Sequence, residues 1–221
     1  MQDRAEATRR AIIQAAAEQF DRKGYAAASV AAIARQAGCT SGALYFHFTG
    51  KDALAGAVIE AHFASWPPLV QQAQSVPAPA LERLVTLSFA VVRAFRDDVV
   101  VRAGGRLWNE RRTIDTHLPA PFVGWIATVT CLLQQAAAEG SLGLQVAPEQ
   151  AAASVVCALF GVHSVSDALD GRTLVEERLA ALWLLLLPGL TAHPDDAHAL
   201  VERCRDNRLT TGPGAAQPVL N

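Results

Sequence analysis

The sequence predicts an all-α protein in which a three-helix helix-turn-helix head precedes a larger helical bundle. Alanine and leucine dominate the 221-residue chain, which is 51% hydrophobic and only 18% charged, and this composition is typical of packed helices. Residues 29–48 contain a short helix, a tight turn at Gly38 and a second short helix that lacks a long apolar stripe. This arrangement is typical of a helix-turn-helix whose second helix lies in the major groove of DNA.

The three predicted head helices share one small core. The first helix runs through residues 5–20 and ends at Gly24. Ser29 is the candidate N-cap of the second helix, and Thr40 or Ser41 that of the third. The helical period places five apolar side chains on facing surfaces. These are Ile12, Phe20, Val30, Ile33 and Leu44.

Apolar periodicity predicts seven further helices after the head. We expect Pro67-Pro68 to stop or bend the first of them, Thr173 to cap the sixth, and Pro188-Gly189 to end that sixth helix. The predicted spans are 51–66, 81–95, 99–112, 122–139, 148–169, 173–187 and a short helix from Pro194. We divide the chain into a helix-turn-helix head (1–50), a larger helical domain (51–208) and a disordered tail (209–221).

The charge balance argues against a protein that only packages DNA. The net charge is −2, whereas proteins that bind nucleic acid without specificity are usually basic. Residues 1–60 hold seven basic and six acidic side chains, and the rest of the chain holds twelve and fifteen. Binding to DNA would therefore depend on where the charges lie rather than on their sum.

The four cysteines have no paired spacing, so the sequence predicts neither a metal site nor a disulfide framework, and no cofactor is expected. Asp3, Arg4 and Glu6 interrupt any signal-peptide core. The most apolar run, 179–187, is shorter than the ~20 residues that span a bilayer. We expect a cytoplasmic protein without membrane contact.

Several motifs in the head resemble the tetracycline-repressor (TetR) family. They are Gly24-Tyr25, Ala37-Gly38, Thr40, the run Gly-Ala-Leu-Tyr-Phe-His-Phe at 42–48, and Lys51. Later segments are similar to the gamma-butyrolactone autoregulator receptors of streptomycetes and related actinobacteria. They are Phe-Asp-Arg-Lys-Gly-Tyr (20–25), Val-Arg-Ala-Gly-x-Arg-Leu (101–107), Pro-x-Pro-Phe-x-x-Trp (119–125) and Cys-x-x-x-Gly (157–161).

The resemblance implies a homodimeric transcriptional repressor that binds a pseudo-palindromic operator and is released by a small diffusible signal. The implied signal is a gamma-butyrolactone, a butenolide or a furan, and the controlled genes would serve secondary metabolism, including antibiotic synthesis. We expect the helices predicted at 149–169 and 173–187 to form the dimer interface.

The residues expected at DNA surround the third helix. Helix N-terminal N–H groups bind phosphate, small residues allow close approach to bases, and hydroxyl, imidazole and ammonium groups reach the phosphate backbone. The predicted DNA-binding residues are Ser29, Thr40, Ser41, Gly42, Ala43, Tyr45, His47 and Lys51. The receptor subfamily often has lysine where Ser41 stands, so we do not assign that subfamily's operator sequence to this protein. The alternative places Tyr45 and Phe46 in a core.

The residues expected at the ligand are aromatic and isolated polar side chains of the second domain. Trp125 matches the subfamily's pocket tryptophan, and His163 interrupts an apolar run. The predicted ligand-binding residues are Trp125, His163, His62, Trp66, Ser88, Trp108, Thr128 and Phe160. The alternative for each is an ordinary place in the core.

Two other functions stay open. The first is a pseudo-receptor or multidrug-type regulator that responds to an antibiotic or another hydrophobic compound. The second, more remote, is a hydrolase that uses His163, Ser164 and Asp167. Because the sequence contains no nucleophile elbow or glycine loop, we expect no enzyme activity.

Overall fold

The computed structural model describes residues 2–115, 122–143 and 147–209. These ranges contain eleven α-helices, and their only β structure is an isolated antiparallel bridge between Leu142 and Thr191. The predicted all-α class is therefore confirmed. The helices are α1 (Gln2–Ala27), α2 (Val30–Gln36), α3 (Ser41–His47), α4 (Lys51–Ala64), α5 (Trp66–Ser75), α6 (Ala80–Asp97), α7 (Val99–Asn109), α8 (Val123–Ala138), α9 (Pro148–Asp170), α10 (Val175–Leu190) and α11 (Ala197–Asp206).

The head forms as predicted from its apolar pattern. Ile12, Phe20, Ile33 and Leu44 are completely buried, while Val30 is half-buried at the start of α2. The positive φ of Gly38 (68°) makes the turn between α2 and α3. Thr40 caps α3, since its Oγ1 accepts a hydrogen bond of 3.1 Å from the Ala43 N–H.

Two apolar cores meet at α4 and α7. The first packs α1, α2 and α3 against α4 and α7, and the second packs α5, α6, α8, α9, α10 and α11 together. Phe63 of α4 contacts both cores. The head is thus joined to the larger bundle by shared packing as well as by the chain itself.

The predicted helix boundaries are wrong near three of the prolines and at one cap. Pro67 and Pro68 occupy the first turn of α5, where the absence of an N–H costs nothing, so they begin a helix that the pattern missed. Pro188 lies inside α10, which continues to Leu190. Leu174, not Thr173, is the N-cap residue of α10.

The other predicted spans differ less from the structure. α7 ends at Asn109, and a 3-10 turn at Arg111–Thr113 follows it. The Pro-x-Pro part of the motif at 119–125 lies outside the described residues, as does the predicted tail apart from Leu209.

The contact between α4 and α7 depends on a glycine. A Cβ at Gly104 would overlap the Cβ and Cγ of His62, so only glycine permits this separation of the two helices. His62 fixes the contact further, because its Nδ1 lies 2.9 Å from the Val101 carbonyl oxygen.

α7 also holds the end of α1 through polar contacts. Arg102 Nε lies 2.9 Å from Asp21 Oδ2, and Arg106 donates to the Asp21 carbonyl oxygen at 2.6 Å. The Tyr25 N–H donates to Glu110 Oε2 at 2.6 Å. α7 therefore contacts α1 through these polar groups and α4 through Gly104.

We expect Gly104→Ala to lower the free energy of unfolding by about 1–3 kcal/mol, because the added methyl group forces α4 and α7 apart. Gly189→Ala is the matched control: nothing lies within 4 Å of its added Cβ, and alanine in a helix should be neutral or stabilising. Urea unfolding followed by circular dichroism measures both. Equal stability of the two variants would contradict the close-contact interpretation.

Candidate DNA-binding surface and ligand cavity

The outer face of α3 consists of small, polar and aromatic side chains. Leu44 is fully buried, whereas Tyr45 is 55% exposed and Phe46 83% exposed. The alternative that Tyr45 and Phe46 are core aromatics is therefore wrong. Of the predicted DNA-binding residues, Ser29, Thr40, Ser41, Gly42 and Tyr45 are exposed, and Ala43, His47 and Lys51 are half-buried.

Phe46 is an exposed candidate that the sequence analysis did not assign to DNA. A signal was available, because Leu44 and Phe48 define the inward face and place Phe46 on the opposite side of the short helix. Its ring contacts that of His47 edge to face, with centroids 5.2 Å apart.

Lys51, at the first position of α4, is held in place by the end of α1. Its Nζ donates to the Ala26 carbonyl oxygen at 2.9 Å and lies 4.5 Å from the centre of the Tyr25 ring. The Tyr25 hydroxyl donates to Asp52 at 2.6 Å. Burial and this bond raise the pKa of Tyr25 to about 12, and the same bond lowers the pKa of Asp52.

The segment that follows α7 also contacts the start of α4. The Asp115 N–H donates to Asp52 Oδ1 at 3.0 Å, and Ile114 is buried in the head core. The start of α4 is therefore tied both to α1 and to the segment that follows α7.

A cavity of about 560 Å³ lies where the two cores meet, a volume within the range of small-molecule sites. Its walls come from the end of α1, from α4, the start of α5, α6, α7, α8 and α9, and from the turn after α9. Six of the eight predicted ligand-binding residues line it: His62, Trp66, Trp108, Trp125, Phe160 and His163.

The other two predicted ligand-binding residues lie elsewhere. Ser88 donates to the Val85 carbonyl oxygen and accepts from the Trp183 Nε1 (2.8 Å), and it lines a narrow apolar slot of about 30 Å³ that shares Phe95 and Trp125 with the cavity. Thr128 donates to the Gly124 carbonyl oxygen and lines an outer groove between α5 and α8.

One part of the cavity wall is ionic, which the sequence analysis missed. Its members are Asp21, Arg102, Arg106, Asp167 and Arg172. The signal was the motif at 101–107, which places Arg102 and Arg106 one turn apart on α7. Asp167 pairs with Arg172 at 3.0 Å.

Three buried polar atoms at the cavity have no hydrogen-bond partner among the described residues. They are Trp66 Nε1, His163 Nδ1 and Arg172 Nε. A buried unpaired polar group costs about 1–3 kcal/mol. Atoms left unpaired in a cavity wall are therefore well placed to bond with the polar atoms of a bound molecule.

Both cavity histidines are neutral at pH 7. Burial lowers the pKa of His62 to about 4, and burial together with the charge of Arg172 lowers that of His163 to about 3. The His163 ring packs against Phe95 with centroids 3.8 Å apart. Asp167 bonds Arg172 rather than His163, so the three residues considered for a hydrolase do not form a catalytic chain.

α9, α10 and the turn between them expose apolar side chains that no described residue covers. Val165, Leu169, Leu174 and Leu185 are 49–79% exposed. α9 is long and apolar enough to cross a membrane by length and composition, yet only 22% of its most apolar window is buried. Trp183 belongs to a helix expected at the dimer interface, but its side chain is fully buried in the chain's own core.

Comparison with known proteins agrees with this architecture. Residues 12–58 match the family described as bacterial regulatory proteins, tetR family, and residues 78–192 match the tetracyclin repressor-like C-terminal domain. The chain belongs to the TetR family. The predicted resemblance is thereby confirmed, and the protein is a TetR-type transcriptional repressor.

Similar proteins include a receptor protein and a regulator bound to its operator. The A-factor receptor protein of Streptomyces griseus is 34% identical over 87% of this chain and 67% of its own length. CprB of Streptomyces coelicolor, solved with its biological operator sequence, is 31% identical, with a TM-score of 0.80 over 93% of this chain and all of CprB.

A second similar structure is described as the molecular basis for control of antibiotic production by bacterial hormones. It is 42% identical, with a TM-score of 0.78 over 84% of this chain and 98% of that chain. TetR regulators bind operator DNA and small-molecule ligands as dimers, and the matched relatives are regulators rather than enzymes.

We expect His62 to make the fold sensitive to acid. Its pKa is about 4 in the folded protein and 6.5 when unfolded, so the unfolded chain binds more protons between these values and stability falls as the pH drops below 6.5. His62→Gln should reduce the loss of unfolding free energy between pH 7 and pH 5 by about 2 kcal/mol.

Urea unfolding at the two pH values measures this effect. The exposed His198→Gln is the control and should behave like the parent protein. A pH dependence that is the same in His62→Gln as in the parent would contradict the role given to this buried imidazole.

Proposed function

We propose that this protein is a homodimeric repressor that binds a pseudo-palindromic operator and leaves it when a small diffusible signal enters the cavity. The signal class is a gamma-butyrolactone, a butenolide or a furan, and the controlled genes serve secondary metabolism, including antibiotic synthesis. The protein acts in the cytoplasm. The similarity to the A-factor receptor over 87% of this chain, and to CprB over 93% of it, supports this proposal.

One observation carries the ligand response: a single helix, α4, connects the predicted DNA surface to the cavity. Lys51 stands at its first residue, and His62 lines the cavity three turns later. A ligand that moves His62 thus acts on the helix that carries Lys51. Release then follows if the ligand binds the DNA-free arrangement more tightly than the DNA-bound arrangement.

The roles proposed at DNA follow from exposure and chemistry. Thr40, Ser41 and the N–H groups at the start of α3 bind a phosphate, while Gly42 and Ala43 approach base edges. Tyr45, His47, Lys51 and Ser29 bind phosphates. Phe46, with 83% of its surface exposed, adds an apolar contact.

The exposed apolar face of α9 and α10 supports the dimer. Val165 and Leu169 lie one turn apart on α9, and Leu185 is 79% exposed on α10. A second copy of this face would remove these side chains from water and form a four-helix contact.

Operator binding measured by fluorescence anisotropy tests the proposal, with labelled DNA from upstream of the protein's own gene. We expect Tyr45→Phe to weaken binding about tenfold on every operator variant, since it removes one hydroxyl bond to a charged phosphate. Ser75→Ala, a hydroxyl deletion at the end of α5, is the matched control and should bind normally.

The same titration with an organic extract of the source culture tests release. We expect the extract to weaken binding of the parent protein but not of Trp125→Ala, which opens the cavity wall. If the extract does not weaken operator binding by the parent protein, the proposal of a diffusible signal fails. Another effector, such as an antibiotic, is then favoured. Failure of the ligand-free protein to bind any upstream fragment would overturn the repressor proposal.

A further inference from the structure

The cavity has two chemically different ends. One end is lined by aromatic side chains, among them Trp66, Phe95 and Trp125. The opposite end holds three guanidinium groups and two carboxylates. A molecule that occupies both ends must itself be amphiphilic.

Arg172 is placed at the polar end by the turn between α9 and α10. Gly171 and Arg172 both have positive φ (62° and 71°), and the Arg172 N–H donates to the Ser166 carbonyl oxygen at 3.0 Å. This turn directs the arginine side chain back to the cavity, where it is only 13% exposed.

The charges at this end leave Arg172 only partly neutralised. Asp21 is bonded to Arg102, and Asp167, the partner of Arg172, is 51% exposed and therefore screened by water. The positive charge of Arg172 acts inside the cavity, since it contributes to the lowered pKa of His163. Burial also lowers the pKa of Arg172 itself, as expected where a charge is incompletely compensated.

The unpaired polar atoms of the cavity wall indicate which chemical groups a ligand must supply. Trp66 Nε1 and Arg172 Nε are both unpartnered in the described structure, and both groups only donate hydrogen bonds. Trp66 is 94% buried, being 6% exposed. A ligand that satisfies them must bring acceptor oxygens, and at the guanidinium end an ionised acid makes the stronger, charge-assisted bonds.

We propose that the ligand is a hydrophobic carboxylic acid whose carboxylate binds Arg172 and Arg102 and whose alkyl chain packs in the cavity against Phe95 and Trp125. This inference rests on the proposed function for the cavity and its control of DNA binding, but it replaces the lactone classes named there with an acid. It also supplies a route to the head, because a carboxylate at Arg102 competes with Asp21, and Asp21 belongs to the helix that supports α3.

Isothermal titration of the full-length protein with decanoate and with γ-decalactone tests the proposal. The two probes have the same number of carbon and oxygen atoms, but only decanoate is charged. We expect decanoate to bind at least tenfold more tightly than the lactone. Arg172→Gln should remove this preference, whereas Arg172→Lys should retain most of it.

The control is Arg83→Gln. Arg83 is also ion-paired and also has an unpartnered Nε, but it does not line the cavity. This variant should keep the full preference for decanoate. Lactone binding by Arg172→Gln at parental affinity would show that the cavity is intact in that variant.

Three results would overturn the proposal: no binding of decanoate, lactone binding equal to or tighter than decanoate binding, or a preference that survives Arg172→Gln. Tighter lactone binding would leave the repressor proposal standing. The repressor proposal fails separately, when the ligand-free protein does not bind operator DNA.

Discussion

The close packing of α7 against both α1 and α4 is the contact on which the rest of the structure depends. Gly104 allows α7 to touch His62, and Arg102 and Arg106 bind the end of α1 at Asp21. Without these contacts, α4 would be the main connection between the head and the bundle. With them, α1 and α4, which pack in one core with α3, also form part of the cavity wall.

This arrangement supports the proposal that occupancy of the cavity controls DNA binding. His62 is neutral and hydrogen-bonded to the Val101 carbonyl oxygen, so it acts as part of the cavity wall rather than as an acid or base. Two of the charged side chains at the cavity, Arg102 and Arg106, also hold α1. A bound molecule that alters either contact changes the relation between head and bundle, which is the two-state element that a ligand-controlled switch requires.

The sequence was sufficient to predict the head and most of the aromatic lining. Apolar periodicity identified Ile12, Phe20, Ile33 and Leu44, and the family motif identified Trp125. The errors have physical causes. Proline begins or continues a helix when its missing N–H is not needed, as at Pro67, and a single sequence cannot distinguish these cases.

The motif at 101–107 was the one sequence signal of the ionic end of the cavity, because Asp21, Arg102 and Arg172 are far apart in the chain and meet only through the packing of α7 and the left-handed turn after α9. Ser88 and Thr128 illustrate the converse limit. Each is a polar residue in an apolar helix whose hydroxyl donates to a carbonyl oxygen of its own helix, and Ser88 also accepts from Trp183. Polar character in an apolar run therefore did not distinguish residues that line the large cavity from residues that hydrogen-bond locally.

The central claim is that occupancy of the cavity changes the separation of the two heads in a dimer. Double electron–electron resonance measures this separation directly, with an encoded spin-label residue at the exposed position 46 and ligand binding followed by tryptophan fluorescence. We expect the distance between labels to change when the organic extract is added to the parent protein and to stay constant in Trp125→Ala. A fluorescence change in the parent protein with no change in distance would contradict the account.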